Sequence, residues 1–144
     1  MPIRRVFEYR SERDRDLLNA YRRQIALTSG PIRLREVMCR VVNSPSSRFW
    51  VSPERAMRVI SSMEQGNRLE GMMRNKRIMF REIYRRVHLL RERPPYRQLP
   101  LVEVVQMVVE QPAPSFYMTP QSAIVIMHHI RKRRKQCNSS ESRS

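Results

Sequence analysis

Apolar residues recur at helical spacing through much of the chain. In residues 34–42, 56–63 and 79–90 they fall mostly three or four positions apart, which is typical of a helix with one buried face. A first long helix is predicted from Glu8 to about Thr28, where a glycine and a proline, Gly30 and Pro31, supply a C-cap and a stop. A second long helix is predicted from Asn67 to about Arg91. The pattern therefore predicts a mainly helical protein.

The apolar pattern of residues 34–63 occurs again in residues 101–130, at a constant offset of 67 and without a gap. The matched pairs include prolines, aromatic residues and small residues: Pro45 and Pro112, Phe49 and Phe116, Trp50 and Tyr117, Pro53 and Pro120, Ala56 and Ala123. A match that keeps the apolar positions, both prolines and the hydroxyl before the second proline predicts an internal duplication.

Each copy is predicted to contain a short helix, a connector and a second helix. Pro45 ends the first helix, because a residue that precedes a proline is disfavoured in the helical region. Residues 44–51 then form an aromatic connector whose rings are expected to pack against the helices. Ser52 and Pro53 begin the next helix as N-cap and N1 residues, and a threonine and a proline do the same in the second copy.

These features predict an all-α fold: two tandem copies of a helix–helix–aromatic connector–helix unit, with a helix-turn-helix-like outline, packed into one compact domain. Residues 1–66 form the first helical repeat, residues 67–136 the second, and residues 137–144 a disordered polar tail. Neither half alone buries much apolar surface. The halves are therefore expected to pack together about a pseudo-twofold axis, with the aromatic connectors near the shared core.

The chain is strongly basic, with a formal net charge of +16 that comes from 26 arginines and three lysines against 13 acidic residues. Such a charge predicts polyanionic partners, or at least strong non-specific binding to polyanions. No apolar run is long enough for a signal peptide or a membrane span, so neither secretion nor membrane insertion is expected. Cys39 and Cys137 lie in a predicted core helix and in the polar tail. This placement favours neither a disulfide nor a metal site and suits a reducing cytoplasm.

The best candidate for nucleic-acid contact is the second long helix, where arginines recur at steps of three and four: Arg74, Arg77, Arg81 and Arg85. At about 100° per residue they fall in one arc opposite the apolar stripe, and His88 continues the line. A one-sided row of guanidinium groups can bracket phosphates. The alternative is a solvated helix face, and Lys76 and Arg86 lie outside the row.

Two further basic groups are candidates for phosphate contact. Arg55 and Arg58 lie on the helix that Ser52 opens, with Arg48 just upstream, and would approach bases or phosphates in a helix-turn-helix. The second copy lacks these charges, so this role is confined to the first half. The last group follows the second copy: Arg131, Lys132, Arg133, Arg134 and Lys135. It can clamp phosphates as a flexible arm, or serve only as the charged cap of the last helix.

Catalysis finds little support in the sequence. No glycine-rich phosphate loop, GxSxG or HExxH motif is present, and the acidic residues form no obvious inward pair. His128 and His129 are adjacent and point about 100° apart on a helix, which makes them poor joint metal ligands. The connector aromatics could stack on bases, but their repetition at matched positions favours core packing. We expect no enzymatic activity, no cofactor and no metal.

Two hypotheses follow for the function. The first is a cytoplasmic, non-enzymatic protein that binds DNA or structured RNA, mainly through the phosphate backbone. The alternative is an adaptor or assembly subunit of a ribonucleoprotein or virus-related complex, whose arginines bind an acidic protein partner. The ten methionines suit an adaptable interface. Ile124 and Val125 lie outside the matched apolar stripe, which fits a protein partner, although burial also explains that pair.

Overall fold

The computed structural model describes the backbone of residues 2–141 and the side chains of residues 9–136. This part of the chain is all-helical, as predicted, with six α-helices, one short 3-10 helix and no strand. The α-helices, numbered in chain order, are α1 (Pro2–Leu27), α2 (Leu34–Val42), α3 (Pro53–Glu64), α4 (Arg74–Arg91), α5 (Leu101–Val109) and α6 (Pro120–Glu141), and the 3-10 helix is Pro94–Tyr96.

The helices fall into two compact units. Unit 1 consists of Met1–Ser44 with Met118–Ser144, and unit 2 consists of Pro45–Tyr117. In unit 1, α1, α2 and α6 pack against one another, and in unit 2, α3, α4 and α5 do so. Contacts therefore group the helices differently from the repeats predicted at residues 1–66 and 67–136. The tandem helix-turn-helix-like outline is not confirmed, because α3 packs with the two helices that follow it in the sequence.

Helices α2 and α5 occupy equivalent positions in the two copies of the repeated pattern. Both of their boundaries are 67 residues apart, since they begin at Leu34 and Leu101 and end at Val42 and Val109. Their buried residues also correspond one to one: Val37, Met38, Val41 and Val42 in α2, and Val104, Val105, Val108 and Val109 in α5. The spacing of apolar residues thus predicts both helices correctly.

Helices α3 and α6 begin at the predicted prolines, each after a capping hydroxyl. Ser52 Oγ accepts a hydrogen bond from the N–H of Arg55 at 3.2 Å. Thr119 Oγ1 accepts the equivalent bond from the N–H of Ser122 at 3.1 Å. Each hydroxyl satisfies a backbone donor that the first helical turn leaves without a partner in the helix.

Helix α4 begins at Arg74 and not at Asn67, where the sequence predicts its start. The Asn67 side chain explains the difference, because its Oδ1 accepts a hydrogen bond from the N–H of Leu69 at 2.9 Å. Such a local bond competes with helix formation. Leu69 itself has a φ of 60°, in the left-handed region, which a right-handed helix cannot include. The Leu69 side chain is nevertheless buried in the core of unit 2.

The chain ends also differ from the prediction. Helix α1 begins at Pro2, ahead of the predicted start at Glu8. Helix α6 continues to Glu141, so residues 137–141, which were expected in a disordered tail, have helical backbone. The rest of that predicted tail, residues 142–144, lies outside the described residues.

The two aromatic connectors meet within unit 2. The N–H of Ser46 donates to Ala113 O and the N–H of Ala113 donates to Ser46 O, each at 3.0 Å, which forms one antiparallel bridge. The buried Ser46 hydroxyl donates to Arg48 O at 2.6 Å. Ser46 and Ala113 are separated by the same 67 residues as the repeated pattern. Equivalent positions of the two connectors therefore pair with each other.

Phe49 anchors the first connector in the core of unit 2. Its side chain is fully buried, and its N–H donates to Val109 O at 3.0 Å. Its ring stacks on Tyr117, with the ring centroids 6.0 Å apart. The large fully buried side chains that share this core come from α3, α4 and α5: Ile60, Phe80, Ile83, Val87, Val104, Val105 and Val108. Phe116 is also buried, so the predicted burial of both connector phenylalanines is confirmed.

Truncation of Phe49 tests its place in this core. We expect Phe49→Ala to lower the free energy of unfolding by about 3–5 kcal/mol, because it leaves a cavity among packed side chains. Arg74→Ala, at an exposed position, is the control and is expected to change that free energy by about 0.5 kcal/mol or less. Urea denaturation followed by circular dichroism measures both variants. Equal stabilities of the two variants would contradict this description of the core.

Candidate nucleic-acid interface

Helix α4 carries its arginine row on the side opposite its buried face. Met79, Phe80, Ile83 and Val87 are buried in unit 2. The row lies on the outer side, where Arg74, Arg81 and Arg85 are exposed and Arg77 is half-buried. The helical period predicts this separation, since steps of three and four residues return to the same face. Four guanidinium groups are therefore presented along one helix.

Glu82 binds one member of the row tightly. Its carboxylate accepts two hydrogen bonds from Arg85, at 3.0 Å from Nε and 2.6 Å from Nη2. It also accepts a bond from Arg86 Nε at 2.9 Å. Hydrogen bonding to Arg85 is the main reason why the pKa of Glu82 lies below its usual value; partial burial opposes this shift, and Arg86 adds to it. The hydrogen bond with Glu82 in turn raises the pKa of Arg85.

The other three arginines of the row are available to a ligand. Among the described residues, no ion pair involves Arg74, Arg77 or Arg81. Arg85, in contrast, shares the Glu82 carboxylate, which offsets part of its charge. We therefore expect Arg74, Arg77 and Arg81 to contribute more to anion binding than Arg85 does.

Helix α3 brings one arginine, Arg55, close to α4. The guanidinium carbon of Arg55 lies 6.0 Å from the ring centroid of Phe80 on α4. Further along both helices, Glu64 Oε1 lies 2.8 Å from His88 Nε2. The contacts follow the same order along α3 and α4, so the two helices run side by side in the same direction. Arg77 precedes Phe80 by one turn of α4, so Arg55 lies close to the segment of α4 that carries the row.

These residues define one surface of unit 2, the α3–α4 surface, formed by Arg55, Arg58, Arg74, Arg77 and Arg81. Arg55 and Arg58 are both exposed on α3. The structure thus brings Arg55, a member of one candidate group, close to the helix that carries the other group. His88 is less available to a ligand than these arginines, because it contacts Glu64 and its ring centroid lies 4.3 Å from that of Tyr84.

Two other arginines hold the connectors. Arg48 lies over the ring of Trp50, with 5.4 Å from its guanidinium carbon to the centroid, and its Nε donates to Phe49 O at 3.2 Å. Arg86, which lies outside the row, donates from Nη1 to Pro112 O at 2.9 Å and lies 5.0 Å from the centroid of the Phe49 ring. The contacts of Arg48 with Trp50 and of Arg86 with Phe49 are cation–π interactions. These residues position the connectors, a role that the sequence pattern did not reveal.

The arginine–lysine cluster after the second copy belongs to unit 1. All five of its residues are exposed, and they lie within α6, well before its last residue Glu141. Arg133 pairs with Asp14 of α1, whose carboxylate is largely buried. The cluster is therefore part of a helix that packs on α1, which differs from both a flexible arm and a terminal cap.

The connector aromatics are buried or half-buried. Phe49 and Phe116 are buried, and Trp50 and Tyr117 are half-buried. Burial is the main cause that raises the pKa of the Tyr117 hydroxyl, and the nearby Glu82 carboxylate raises it further. The positions of these four aromatic residues favour packing within the protein over stacking on bases, as expected from the sequence.

Comparison with known proteins gives no assignment. The chain matches no protein-family model, and no curated protein or solved structure was found to be similar to it. Among the described residues, no three metal-ligating side chains are grouped where they could hold an ion. None of the described helices combines the length and the apolar character that a membrane crossing requires.

The depressed pKa of Glu82 leads to a pH prediction. A carboxylate with a lowered pKa stabilises the folded state above the unfolded value, near 4.5, and loses this contribution as the pH falls through the folded value. At pH 7 we expect Glu82→Gln to be less stable by about 1 kcal/mol or less. The difference from the wild-type protein should shrink as the pH is lowered below 4.5.

Thermal unfolding between pH 3 and pH 7 measures this difference, with Glu70→Gln, at an exposed position before α4, as the matched control. The control removes the same charge from the same unit. A stability difference for Glu82→Gln that is the same at both ends of the pH range would show that its ion pairs with Arg85 and Arg86 do not stabilise the fold.

Proposed function

We propose that this protein is a non-enzymatic, basic nucleic-acid-binding protein that contacts DNA or structured RNA mainly through the phosphate backbone. The observation that supports this function best is the α3–α4 surface of unit 2. There Arg55 of α3 lies close to α4, which carries the arginine row, and three members of that row have no ion pair among the described residues.

The chemistry of the side chains suits phosphate groups. A guanidinium presents five N–H donors in a planar fork and binds phosphate oxygens in pairs. Arg77 and Arg81 are separated by one helical turn, about 6 Å along the axis, so they can contact different phosphates. Such contacts position a protein on nucleic acid without reading the bases. The binding is therefore expected to depend on charge and shape, and DNA and RNA both satisfy these requirements.

We also infer that the chain contains an internal duplication. The identical spacing of α2 and α5, the two capped helix starts and the pairing of Ser46 with Ala113 support this origin. A cytoplasmic location fits the same proposal, because a nucleic-acid partner is available there. The arginines of α3 have no counterpart in α6, where serine and valine occupy the equivalent positions Ser122 and Val125. The proposed α3–α4 surface is therefore specific to one copy.

A second candidate function is an adaptor or assembly subunit that binds an acidic protein partner within a ribonucleoprotein or virus-related complex. One observation favours it: Ile78 and Leu89 are 41% and 48% exposed on α4. They follow Arg74 and Arg85 by four residues and so interleave with the arginine row. A mixed cationic and apolar face resembles the composition of protein interfaces more than that of a phosphate-binding surface.

Salt dependence tests the first proposal. The affinity for duplex DNA and for a structured RNA should fall steeply as the salt concentration rises. Arg77→Ala/Arg81→Ala should reduce the slope of log affinity against log salt by about two, close to one for each phosphate that the variant no longer neutralises. Fluorescence anisotropy with labelled oligonucleotides measures both slopes.

The control for charge is Arg22→Ala/Arg35→Ala, which removes two exposed arginines of α1 and α2 and gives the same net charge. It should retain most of the affinity and nearly the wild-type slope. An affinity that does not depend on salt, or an equal reduction of affinity in the two double variants, would refute phosphate contact by the α3–α4 surface.

Glu82→Gln gives an opposite expectation for binding. The substitution removes the carboxylate that binds Arg85 and adds one unit of positive charge beside the row. We expect tighter nucleic-acid binding by a factor of about two to five, because one more guanidinium becomes available to phosphate. The same anisotropy titration at fixed salt measures the change. Weaker binding in a variant that remains folded would place the ligand elsewhere.

The adaptor function has its own test. After nuclease treatment of a cell extract, proteins retained by the wild-type chain are compared with those retained by Ile78→Ser/Leu89→Ser. An adaptor should lose its protein partner in that variant, because apolar contacts at the centre of an interface contribute most of its binding energy. A chain that is monomeric in light scattering and retains no protein after nuclease treatment excludes this function.

A further inference from the structure

Unit 1 contains a basic groove between α1 and α6, formed by residues that take no part in the α3–α4 surface. Its volume is about 560 Å³. Four cationic side chains line it, Arg10 and Arg13 from α1 and Lys132 and Arg133 from α6, together with His129. Among the described lining residues, Asp14 supplies the one carboxylate. The lining therefore carries an excess of positive charge.

Asp14 organises this groove. Its Oδ1 accepts a hydrogen bond from Arg13 Nη2 at 3.2 Å, and its Oδ2 accepts one from Arg133 Nη2 on the other helix. Asp14 is only 7% exposed, so the carboxylate holds the two guanidinium groups in a fixed position between the helices. Each guanidinium has five N–H donors, of which one binds Asp14, and Arg133 uses a second because its Nε donates to His129 O at 3.4 Å. The remaining donors can bind a second anion.

Arg10 and Lys132 add charge that no acid of the described chain offsets. Neither residue takes part in an ion pair among the described residues. Among the described lining residues, the His129 imidazole is the one aromatic ring and Ile126 is the one large apolar side chain. Recognition of a base by stacking requires an aromatic or apolar platform. The described lining is therefore dominated by charged side chains.

We propose that this groove binds phosphate groups, and that its ligand carries at least two of them in sequence. Polyphosphate chains and the backbone of a nucleic acid share this chemistry. The groove is a separate site from the α3–α4 surface, and it can bind polyphosphate whether or not unit 2 binds nucleic acid. Arg10, Arg13 and His129 are assigned to it from the structure, since their sequence positions lie far from their partners on the other helix.

The chain provides its own reporters for a test. It contains three histidines, of which His129 lines the groove, His128 is its neighbour in sequence and His88 lies in unit 2. Full-length protein with labelled histidine is titrated with inorganic tripolyphosphate and followed by NMR of the imidazole signals. We expect a saturable shift of the His129 signals and little change at His88.

Variants show which side chains hold the probe. Arg10→Ala/Lys132→Ala should weaken tripolyphosphate binding about ten-fold or more, because hydrogen bonds to charged groups are among the strongest in proteins. Arg22→Ala/Arg35→Ala, which removes the same charge from exposed positions of α1 and α2, should weaken it less than about three-fold. No saturable shift at His129, or an equal weakening in the two variants, overturns the proposal.

An oligonucleotide added to the tripolyphosphate complex identifies the natural source of the phosphates. Displacement of the probe, seen as a changed His129 signal, indicates that the groove contacts a nucleic-acid backbone. Retention of the probe indicates a site for free polyphosphate or a nucleotide. Either result supports a phosphate site. Because the reporter lies in unit 1, failure of nucleic-acid binding at Arg77 and Arg81 leaves this test unaffected.

Discussion

Two backbone hydrogen bonds between Ser46 and Ala113 set the arrangement of unit 2. They join two connectors that are far apart in the sequence, and they leave Phe49 in position to bond Val109 and to enter the core. Since α3 follows the first connector directly, its path then runs along α4 and α5. The approach of Arg55 to α4 depends on this path. The proposed phosphate-binding surface is thus a consequence of the way in which the connectors pair.

The arginines of α4 form two groups, according to whether they pair with Glu82. Arg85 and Arg86 bind Glu82, and Arg86 also contacts both connectors, the second through Pro112 O and the first through the Phe49 ring. Their charges therefore contribute to structure. Arg74, Arg77 and Arg81 have no such partners among the described residues. A ligand therefore does not have to break an ion pair in order to bind them. Glu82 is the acidic residue that both members of the first group bind.

Much of the fold follows from local sequence signals, and the rest depends on distant contacts. Apolar spacing predicts α2 and α5, and the Ser52 cap predicts the start of α3, because these features act within a few residues. The start of α4 was predicted seven residues too early, because the bond from Asn67 to Leu69 outweighs the apolar periodicity there. The arginine row lies on one face of α4, as its spacing predicts.

The grouping of the helices could not be predicted in the same way. It depends on the bridge between the connectors and on packing between elements that no periodicity relates. The groove of unit 1 is a similar case, because Asp14 and Arg133 are 119 residues apart in the sequence. The arginines of α1 are surrounded by charges of both signs, so nothing in their spacing distinguishes Arg10 and Arg13. Only the packing of α6 on α1 reveals them.

The central claim, that the α3–α4 surface binds nucleic acid, is tested most directly by what co-purifies with the full-length chain. Absorbance at 260 nm and sequencing measure the nucleic acid retained without nuclease by the wild-type protein, by Arg77→Ala/Arg81→Ala and by Arg22→Ala/Arg35→Ala. The wild-type protein and the second variant should retain nucleic acid, and the first variant should lose most of it. Nucleic acid absent from all three, or retained equally by both variants, would contradict the claim.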